Sequence, residues 1–299
     1  MNWILPKTVQ SHVLTVLDIP VHYLSCGLKN DGPVLVLFHP MPLSSYLWVP
    51  VLERLADAAY CLAPDLLGFG MSGYKGSDYS VKNQIKVMCA WLRLLAKDRP
   101  LILLGHGLGS VIMHGVAAAF RQQLCAIAIY EGYLTPLTGS WDLGLPVEQL
   151  YHLVLQSSLY QKVVVEDFMM RVFLSIIAEG KLSEQDIAIY RQPHQTEDTR
   201  QVFLDTLLQM MSFSAESEFS AAICSGLSVY HDPQIKKVLM YSMPGLISGL
   251  LKLDEFRNQY PTVCVVEVGE SVFLAPAFNP DGFSGVIIRD LLSQKSVRD

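Results

Sequence analysis

A glycine-rich segment, Gly105-His106-Gly107-Leu108-Gly109-Ser110, has the clearest chemical meaning in this sequence. It follows an apolar run typical of a strand and opens a small-residue run typical of a helix. This is the setting of a nucleophile elbow, where flanking glycines let one residue project from a sharp strand-to-helix turn. The nucleophile position holds Gly107, which has no side chain to attack a substrate. The rival phosphate-loop interpretation lacks the Gly-Lys-Ser/Thr ending, and the run is too short for a dinucleotide fingerprint.

Two histidines and a glutamate are the other candidate groups around this turn. The segment His39-Pro40-Met41 follows a predicted strand, where backbone N–H groups would complete an oxyanion hole. His106 adjoins the elbow and Glu131 ends a neighbouring predicted strand, so a histidine–carboxylate pair could act as acid and base. The simpler alternative makes His106 a core residue. Glu131 would then be a buried carboxyl with a raised pKa, hydrogen-bonded to backbone or tyrosine.

The remaining polar groups carry weaker signals. Ser110 lies one helical turn past the elbow without an evident base, and His194 is interpreted as a solvated loop residue. The six cysteines are scattered singly, with neither CxxC spacing nor a Cys/His cluster, so we expect buried free thiols. No zinc site, disulfide framework or cofactor is expected. The cysteines are Cys26, Cys61, Cys89, Cys125, Cys224 and Cys264.

Short apolar runs alternate with helical patterns along much of the chain, which predicts a doubly wound α/β sheet. The central runs are continuously apolar, as expected for parallel strands buried on both faces. The candidate strands are His12–Leu17, Val21–Ser25, Pro33–Phe38, Ala59–Ala63, Leu101–Gly105, Ala126–Tyr130, Lys237–Tyr241 and Thr262–Val268. The candidate helices are Ser80–Ala96, Ser110–Ala119 and Asp281–Ser293.

This alternation stops after about Glu131. Residues 135–232 have helical patterns without strands, which predicts a helical cap inserted between the sixth and seventh strands of a core made of residues 1–134 and 233–299. Met169, Met170, Met210 and Met211 fall in this segment, where they would form either an adaptable apolar surface over a pocket or ordinary core packing.

Composition excludes several classes of protein. The net charge is −6, with 51% hydrophobic and 17% charged residues and a mean hydropathy of +0.31. Such a chain is too apolar to be disordered and lacks the basic excess of a nucleic-acid binder. The uncharged stretch Leu101–Phe120 approaches the length of a membrane span. Its glycines and histidines instead indicate a strand followed by a helix. Without a charged leader and cleavage site, a cytoplasmic location is expected.

Four segments give the chain a specific resemblance. Together they resemble the haloalkane dehalogenase family of α/β hydrolases, including the related coelenterazine luciferases, and the likeness spans residues 12 to 294. It implies an α/β-hydrolase fold with a mostly parallel eight-stranded sheet and an inserted helical cap. The segments are SSYLWVPVLERLADAAYCLAPDLLGFGMSG, LSEQDIAIYRQP, KVLMYSMPGLIS and VEVGESVFLAPAFNPDGFSGVIIRDLL.

The resemblance also assigns family roles to five positions. The family's aspartate nucleophile corresponds to Gly107, and the tryptophan that holds the departing halide corresponds to Leu108. The asparagine that is the second halide donor corresponds to Met41, and the histidine base to Phe273. Only the acid that orients this histidine is kept, as Glu131. Removing nucleophile and base costs several orders of magnitude in rate, so dehalogenation by the family mechanism is not expected.

Three functions remain open at this point, and whether the chain is an enzyme stays open with them. The first is a disabled homologue that binds a small apolar ligand, or a protein partner or second copy through its apolar cap. The second is a repurposed cyclase, lyase or oxygenase that acts on a hydrophobic substrate between core and cap. The third is a hydrolase with a non-standard catalytic set. For the pocket we expect either a more apolar cavity or one filled by Phe273.

Overall fold

Eight strands form one sheet in a computed structural model that describes residues 3–27, 32–72, 78–143, 145–155 and 158–293. The strands are β1 (Val9–Val16), β2 (Ile19–Cys26), β3 (Val34–Phe38), β4 (Tyr60–Pro64), β5 (Leu101–Gly107), β6 (Leu124–Gly132), β7 (Lys236–Pro244) and β8 (Cys264–Ser271). Their order in the sheet is β1-β2-β4-β3-β5-β6-β7-β8. The pairs β1–β2 and β2–β4 are antiparallel, and the other pairs are parallel. The mostly parallel sheet confirms the predicted fold.

Burial along the strands explains their sequence patterns. Every residue of β3, β4 and β5 is buried, because helices cover both faces of the central sheet. The edge strand β1 has buried residues only at its two ends, Val9 and Val16, with exposed and half-buried residues between them. An apolar run therefore marks a central strand, whereas the edge strand needs fewer apolar residues.

Eleven α-helices complete the part of the chain that the structure describes. They are α1 (Val49–Leu55), α2 (Val81–Ala96), α3 (Leu108–Ala119), α4 (Leu145–Leu155), α5 (Leu174–Ala178), α6 (Glu184–Arg191), α7 (Glu197–Met210), α8 (Glu218–Leu227), α9 (Leu250–Gln259), α10 (Ala275–Phe278) and α11 (Pro280–Val286). Three π-helical turns cover Gln161–Val165, Met169–Phe173 and Ile287–Leu292. The closing helix predicted over Asp281–Ser293 is therefore two pieces, α11 and a π-helical turn.

The segment between β6 and β7, residues 133–235, is named the helical insert. Its described residues contain helices α4 to α8 and no strand. One side of the sheet shares a core with α2, α3 and much of the insert, while the other side packs against α1 and α11. Helix α8 packs directly on α3 and α2, so part of the insert flanks the sheet.

Two local predictions can be compared with these elements. Leu101–Phe120 divides into β5 and α3, and none of the helices in the described ranges is both long and apolar enough to span a bilayer. Cys26, Cys61 and Cys89 are buried as expected. Cys224 and Cys264 are exposed instead, so the prediction of buried thiols is wrong for them, because Cys224 lies on the solvent side of α8 and Cys264 begins the edge strand β8.

Candidate functional site

The chain turns from β5 into α3 at Gly107, with φ +52° and ψ −123°. A positive φ of this kind strains any residue with a side chain, and glycine adopts it at little cost. The next glycine serves close packing, because a Cβ on Gly109 would lie 2.3 Å from the carbonyl oxygen of Phe38. The turn therefore has the sharp geometry that projects one residue from the sheet, but it projects no side chain.

Two neighbouring residues occupy the space in front of Gly107. A Cβ built there would lie 2.7 Å from Cβ of Pro40 and 3.1 Å from Cζ of Phe273. Phe273 lies in the loop between β8 and α10 and is 2% exposed. The fold thus brings together Gly107 and Phe273, the two positions to which the resemblance assigns the nucleophile and the base. Both positions are apolar, and they pack on each other.

His106 lies behind this contact. It is fully buried, and its ring centroid lies 4.3 Å from that of Phe273 and 4.6 Å from that of Tyr130. Neither ring nitrogen has a hydrogen-bond partner among the described residues. Burial lowers the pKa of His106 well below its usual value, so the ring is neutral. The conceivable pair of His106 with Glu131 is not formed.

The His39-Pro40-Met41 segment is held in place by the side chain of His39. His39 is buried, and its Nε2 accepts a hydrogen bond from the backbone N–H of Leu66 at 2.9 Å. Nδ1 must then carry the proton, and it donates to the carbonyl of Pro40 at 3.0 Å. Burial also lowers the pKa of His39. This histidine fixes the loop after β3, and its two ring nitrogens are both engaged in that role.

Glu131 binds the loop that follows β7. Its Oε2 accepts hydrogen bonds from three consecutive backbone N–H groups, those of Leu246, Ile247 and Ser248, at 2.9, 2.8 and 3.1 Å. Burial raises the pKa of Glu131, and the backbone donors only partly oppose this shift. Glu131 has a positive φ of 39°, so the loop contacts hold it in a strained conformation. The carboxylate thus organises a loop that lines the cavity described below.

Ser110 and His194, the two weaker candidates, both make contacts that stabilise the fold. The Ser110 hydroxyl donates to the carbonyl of Gly107 at 2.7 Å and accepts from the N–H of Tyr133 at 2.9 Å. His194 is 2% exposed, and its ring centroid lies 4.3 Å from that of Phe203. The interpretation of His194 as a solvated loop residue is therefore wrong. Its polar neighbours in sequence lie at the surface, while its own ring packs inward.

A cavity of ≈ 80 Å³ lies between the sheet and the helical insert. The sheet side contributes Met41, Gly107, Leu108, Leu246, Ile247 and Phe273. The insert contributes Tyr133, Val147, Leu150, Tyr151, Leu159, Phe168, Met169, Phe173, Thr206, Leu207, Met210, Met211 and Phe219. No charged side chain belongs to this lining in the described part of the chain. The Tyr133 hydroxyl donates to Sδ of Met210 at 3.2 Å.

Both alternatives for the pocket are thus realised in part. Phe273 fills the space next to Gly107, and an apolar cavity remains above the two. His39 and His106 do not line the cavity. Most of its wall comes from the insert, and sequence reasoning named only some of these residues, through the methionine enrichment. The apolar residues of α4 and α7 were the signal that could have identified Val147, Leu150, Tyr151 and Leu207.

Metal chemistry has no visible site in this region. Across residues 3–27, 32–72, 78–143, 145–155 and 158–293, no three His, Cys, Asp or Glu side chains cluster so that they could hold an ion. The cavity lining has the same character, because it offers only aromatic and aliphatic groups, thioethers and three hydroxyls. Such a lining recognises a ligand by shape and apolar contact.

Comparisons with known proteins agree with this geometry. A family model for the alpha/beta hydrolase fold matches residues 33–138. A haloalkane dehalogenase of Mesorhizobium japonicum is 24% identical over 268 residues, covering 88% of this chain and 84% of that protein. The crystal structure of a haloalkane dehalogenase from Bradyrhizobium elkani has a TM-score of 0.84 at 21% identity, covering 94% of this chain and 97% of the other. The chain has the α/β-hydrolase fold and is similar to haloalkane dehalogenases along most of its length.

A further relative differs in the chemistry that its name describes. The coelenterazine h 2-monooxygenase of Renilla reniformis is 27% identical to this chain over 181 residues, 60% of this chain and 58% of that enzyme. The resemblance noted in the sequence thus extends to relatives of two named activities. The fold alone does not determine which of these two activities a protein has, because the residues of the site determine it.

Proposed function

We propose that this dehalogenase-like protein does not displace halide by the family mechanism, and that its cavity binds a small apolar molecule without converting it. The observation that carries the proposal is the packing of Pro40 and Phe273 into the space in front of Gly107. A displacement needs an attacking atom there and a base beside it. Neither position offers a polar group, and a new side chain at residue 107 would overlap Pro40.

The character of the cavity supports the binding role. Apolar cavities stay dry, and an engineered one of about 150 Å³ takes up benzene or xenon. The cavity here is ≈ 80 Å³, so it suits a ligand of a few carbon atoms. Met169, Met210 and Met211 line it, and flexible thioether side chains can rearrange around a somewhat larger guest.

A second candidate is an oxygenase that acts on an apolar substrate in the same cavity. The relative from Renilla reniformis, whose name describes the monooxygenation of coelenterazine h, favours it. An oxygenase consumes O₂ when its substrate is bound, whereas a binding protein releases its ligand unchanged. Oxygen uptake with coelenterazine h as the probe separates the two, and we expect none above the rate in buffer.

A protein partner or a second copy on the insert, and a cytoplasmic location, stay predictions. Exposed apolar side chains on the insert are compatible with such a partner, and Trp141 is the most exposed of them at 68%. Exposed apolar groups mark an interface only when they form a large continuous patch. We therefore place the main function in the cavity.

Two adjacent leucines of α7 provide a matched test of ligand binding. Leu207 lines the cavity, while Leu208 is 53% exposed. Leu207→Phe should fill the cavity and abolish the rise in melting temperature that xenon or 1-bromobutane causes, because no space is left for the guest. Leu208→Phe adds the same atoms outside the cavity and should bind like the wild type. Equal binding by both variants would show that the ligand binds outside this cavity.

A further inference from the structure

A serine, a histidine and an aspartate form a connected chain of hydrogen bonds at the edge of the sheet, far in sequence from the elbow. The Ser11 hydroxyl lies 2.9 Å from Nε2 of His22, and Nδ1 of His22 lies 2.7 Å from Oδ2 of Asp65. This order of contacts is that of the serine–histidine–aspartate triad of acyl-transfer enzymes, which is recognised by geometry and roles whatever the fold.

The register of the strands explains how the three residues meet. Ser11 of β1 pairs with Leu24 of β2. His22 is two residues from Leu24, so its side chain shares a sheet face with Ser11. Asp65 directly follows β4, which pairs with β2, and its backbone N–H donates to the carbonyl of His22 at 2.9 Å. The triad is thus built on two regular strands and an adjoining turn.

The hydrogen bonds fix the tautomer of His22. A carboxylate only accepts hydrogen bonds, so Nδ1 of His22 carries the proton and donates it to Asp65. When the ring is neutral, Nε2 is left to accept from the Ser11 hydroxyl. Burial acts to raise the pKa of Asp65, but the lowering contributions, first among them the hydrogen bond from His22, together outweigh it, so the pKa is lowered and the carboxylate is ionised.

Access and rigidity complete the arrangement. Ser11 is exposed, whereas the side chains of His22 and Asp65 are 1% and 0% exposed. Asp65 also accepts from the backbone N–H groups of Ser45 and Met71 at 2.7 and 2.8 Å, which hold its carboxylate in place. The nucleophile therefore faces solvent, while its base and the positioning residue Asp65 are fixed in the interior.

Hydrogen-bond donors for a reacting carbonyl oxygen are also at hand. Because β1 is an edge strand, every second backbone N–H along it faces away from β2. Such donors stabilise the oxyanion that forms when a serine attacks an ester.

We propose that Ser11, His22 and Asp65 form a second, independent site that hydrolyses small unhindered esters. The Ser11 Oγ bonds to the ester carbonyl carbon while its proton passes to Nε2 of His22, and the alcohol leaves with that proton. Water then attacks the acyl group on Ser11, gives a proton to His22, and releases the carboxylic acid as the proton returns to Ser11. The balance is one ester and one water consumed, one acid and one alcohol formed.

A fluorophosphonate probe tests this site in the full-length protein, because it bonds to an activated serine oxygen and releases fluoride. We expect one adduct, at Ser11, mapped by peptide mass spectrometry, and none in Ser11→Ala. Ser25→Ala is the matched control, since Ser25 lies 2.8 Å from Nε2 of His12 in the same two strands but is buried. It should label like the wild type. A wild-type protein without an adduct at Ser11 would overturn the proposal.

Asp65→Asn tests the positioning role, because an amide in that place favours the tautomer with the proton on Nε2. We expect at least about 100-fold slower labelling, with ¹⁵N spectra showing the His22 proton moved from Nδ1 to Nε2.

Hydrolysis of p-nitrophenyl acetate must fall to the buffer rate in Ser11→Ala, whose melting temperature should be unchanged because Ser11 is exposed. Wild-type hydrolysis in Ser11→Ala would contradict the site. Leu207→Phe should label normally, since this site does not depend on the cavity.

Discussion

At the scale of single residues, the substitutions around the elbow depend on one another. Gly107 allows Pro40 and Phe273 to close together in front of it, and those two in turn leave no room for a larger residue. A larger side chain introduced at one of these positions would therefore overlap the residues at the others. Replacing Gly107 by Asp and Phe273 by His should not recover dehalogenation, because Pro40 overlaps the new side chain, and Met41 and Leu108 still offer no halide donors.

Gly107→Ala should lower the free energy of unfolding of the protein. The positive φ costs about 1–3 kcal/mol for a residue with a side chain, and the contact of 2.7 Å with Pro40 adds strain. Gly180→Ala is the control, because Gly180 has φ +66° but a Cβ added there would meet nothing within 4 Å. Urea unfolding should show the larger loss at residue 107. Equal losses would mean that the overlap is absent in solution.

At the scale of elements, continuous apolar runs predicted the sheet because its central strands are covered on both faces. All eight strands were located, although β7 begins at Lys236 and extends to Pro244, beyond the apolar run that marks its buried part. The elbow was predictable because glycine spacing encodes a local turn. His194 was misplaced because burial of one side chain depends on tertiary packing, here against Phe203, which flanking polar residues do not reveal.

The contacts between distant elements lie beyond what the sequence could predict. Glu131 was expected to bond to backbone or tyrosine, but its three backbone donors in the loop after β7 required the structure. The same holds for Ser11, His22 and Asp65, which are separated by up to 54 positions and joined only by strand register. Neither spacing nor composition distinguishes these residues from ordinary strand and turn residues.

At the scale of the whole molecule, four buried histidines make stability depend on pH. Burial lowers the pKa of His39, His106, His114 and His194, and for the last two it falls to about 4. The usual value in an unfolded chain is 6.5. Below that value the unfolded state binds protons that the folded state does not, so stability is present above pH 6.5 and is lost as the pH falls toward 4.

The free energy of unfolding should therefore be lower at pH 5 than at pH 7, by about 1–2 kcal/mol for each such histidine. His194→Phe keeps a ring against Phe203 but removes one titrating group, so its loss between the two pH values should be smaller. Urea unfolding of both proteins at each pH measures the difference. If the variant loses as much stability as the wild type, His194 is not a buried neutral group.

Ligand binding in the cavity and the absence of chemistry at the elbow can be tested in one experiment. Incubation of the purified protein with 1-bromobutane tests both parts, with melting temperature, released bromide and protein mass followed in the same sample. We predict a higher melting temperature in the wild type and in Leu208→Phe but not in Leu207→Phe, with no bromide above buffer and no covalent adduct. Bromide release that depends on the protein, or an alkylated protein mass, would show that the protein does convert its ligand.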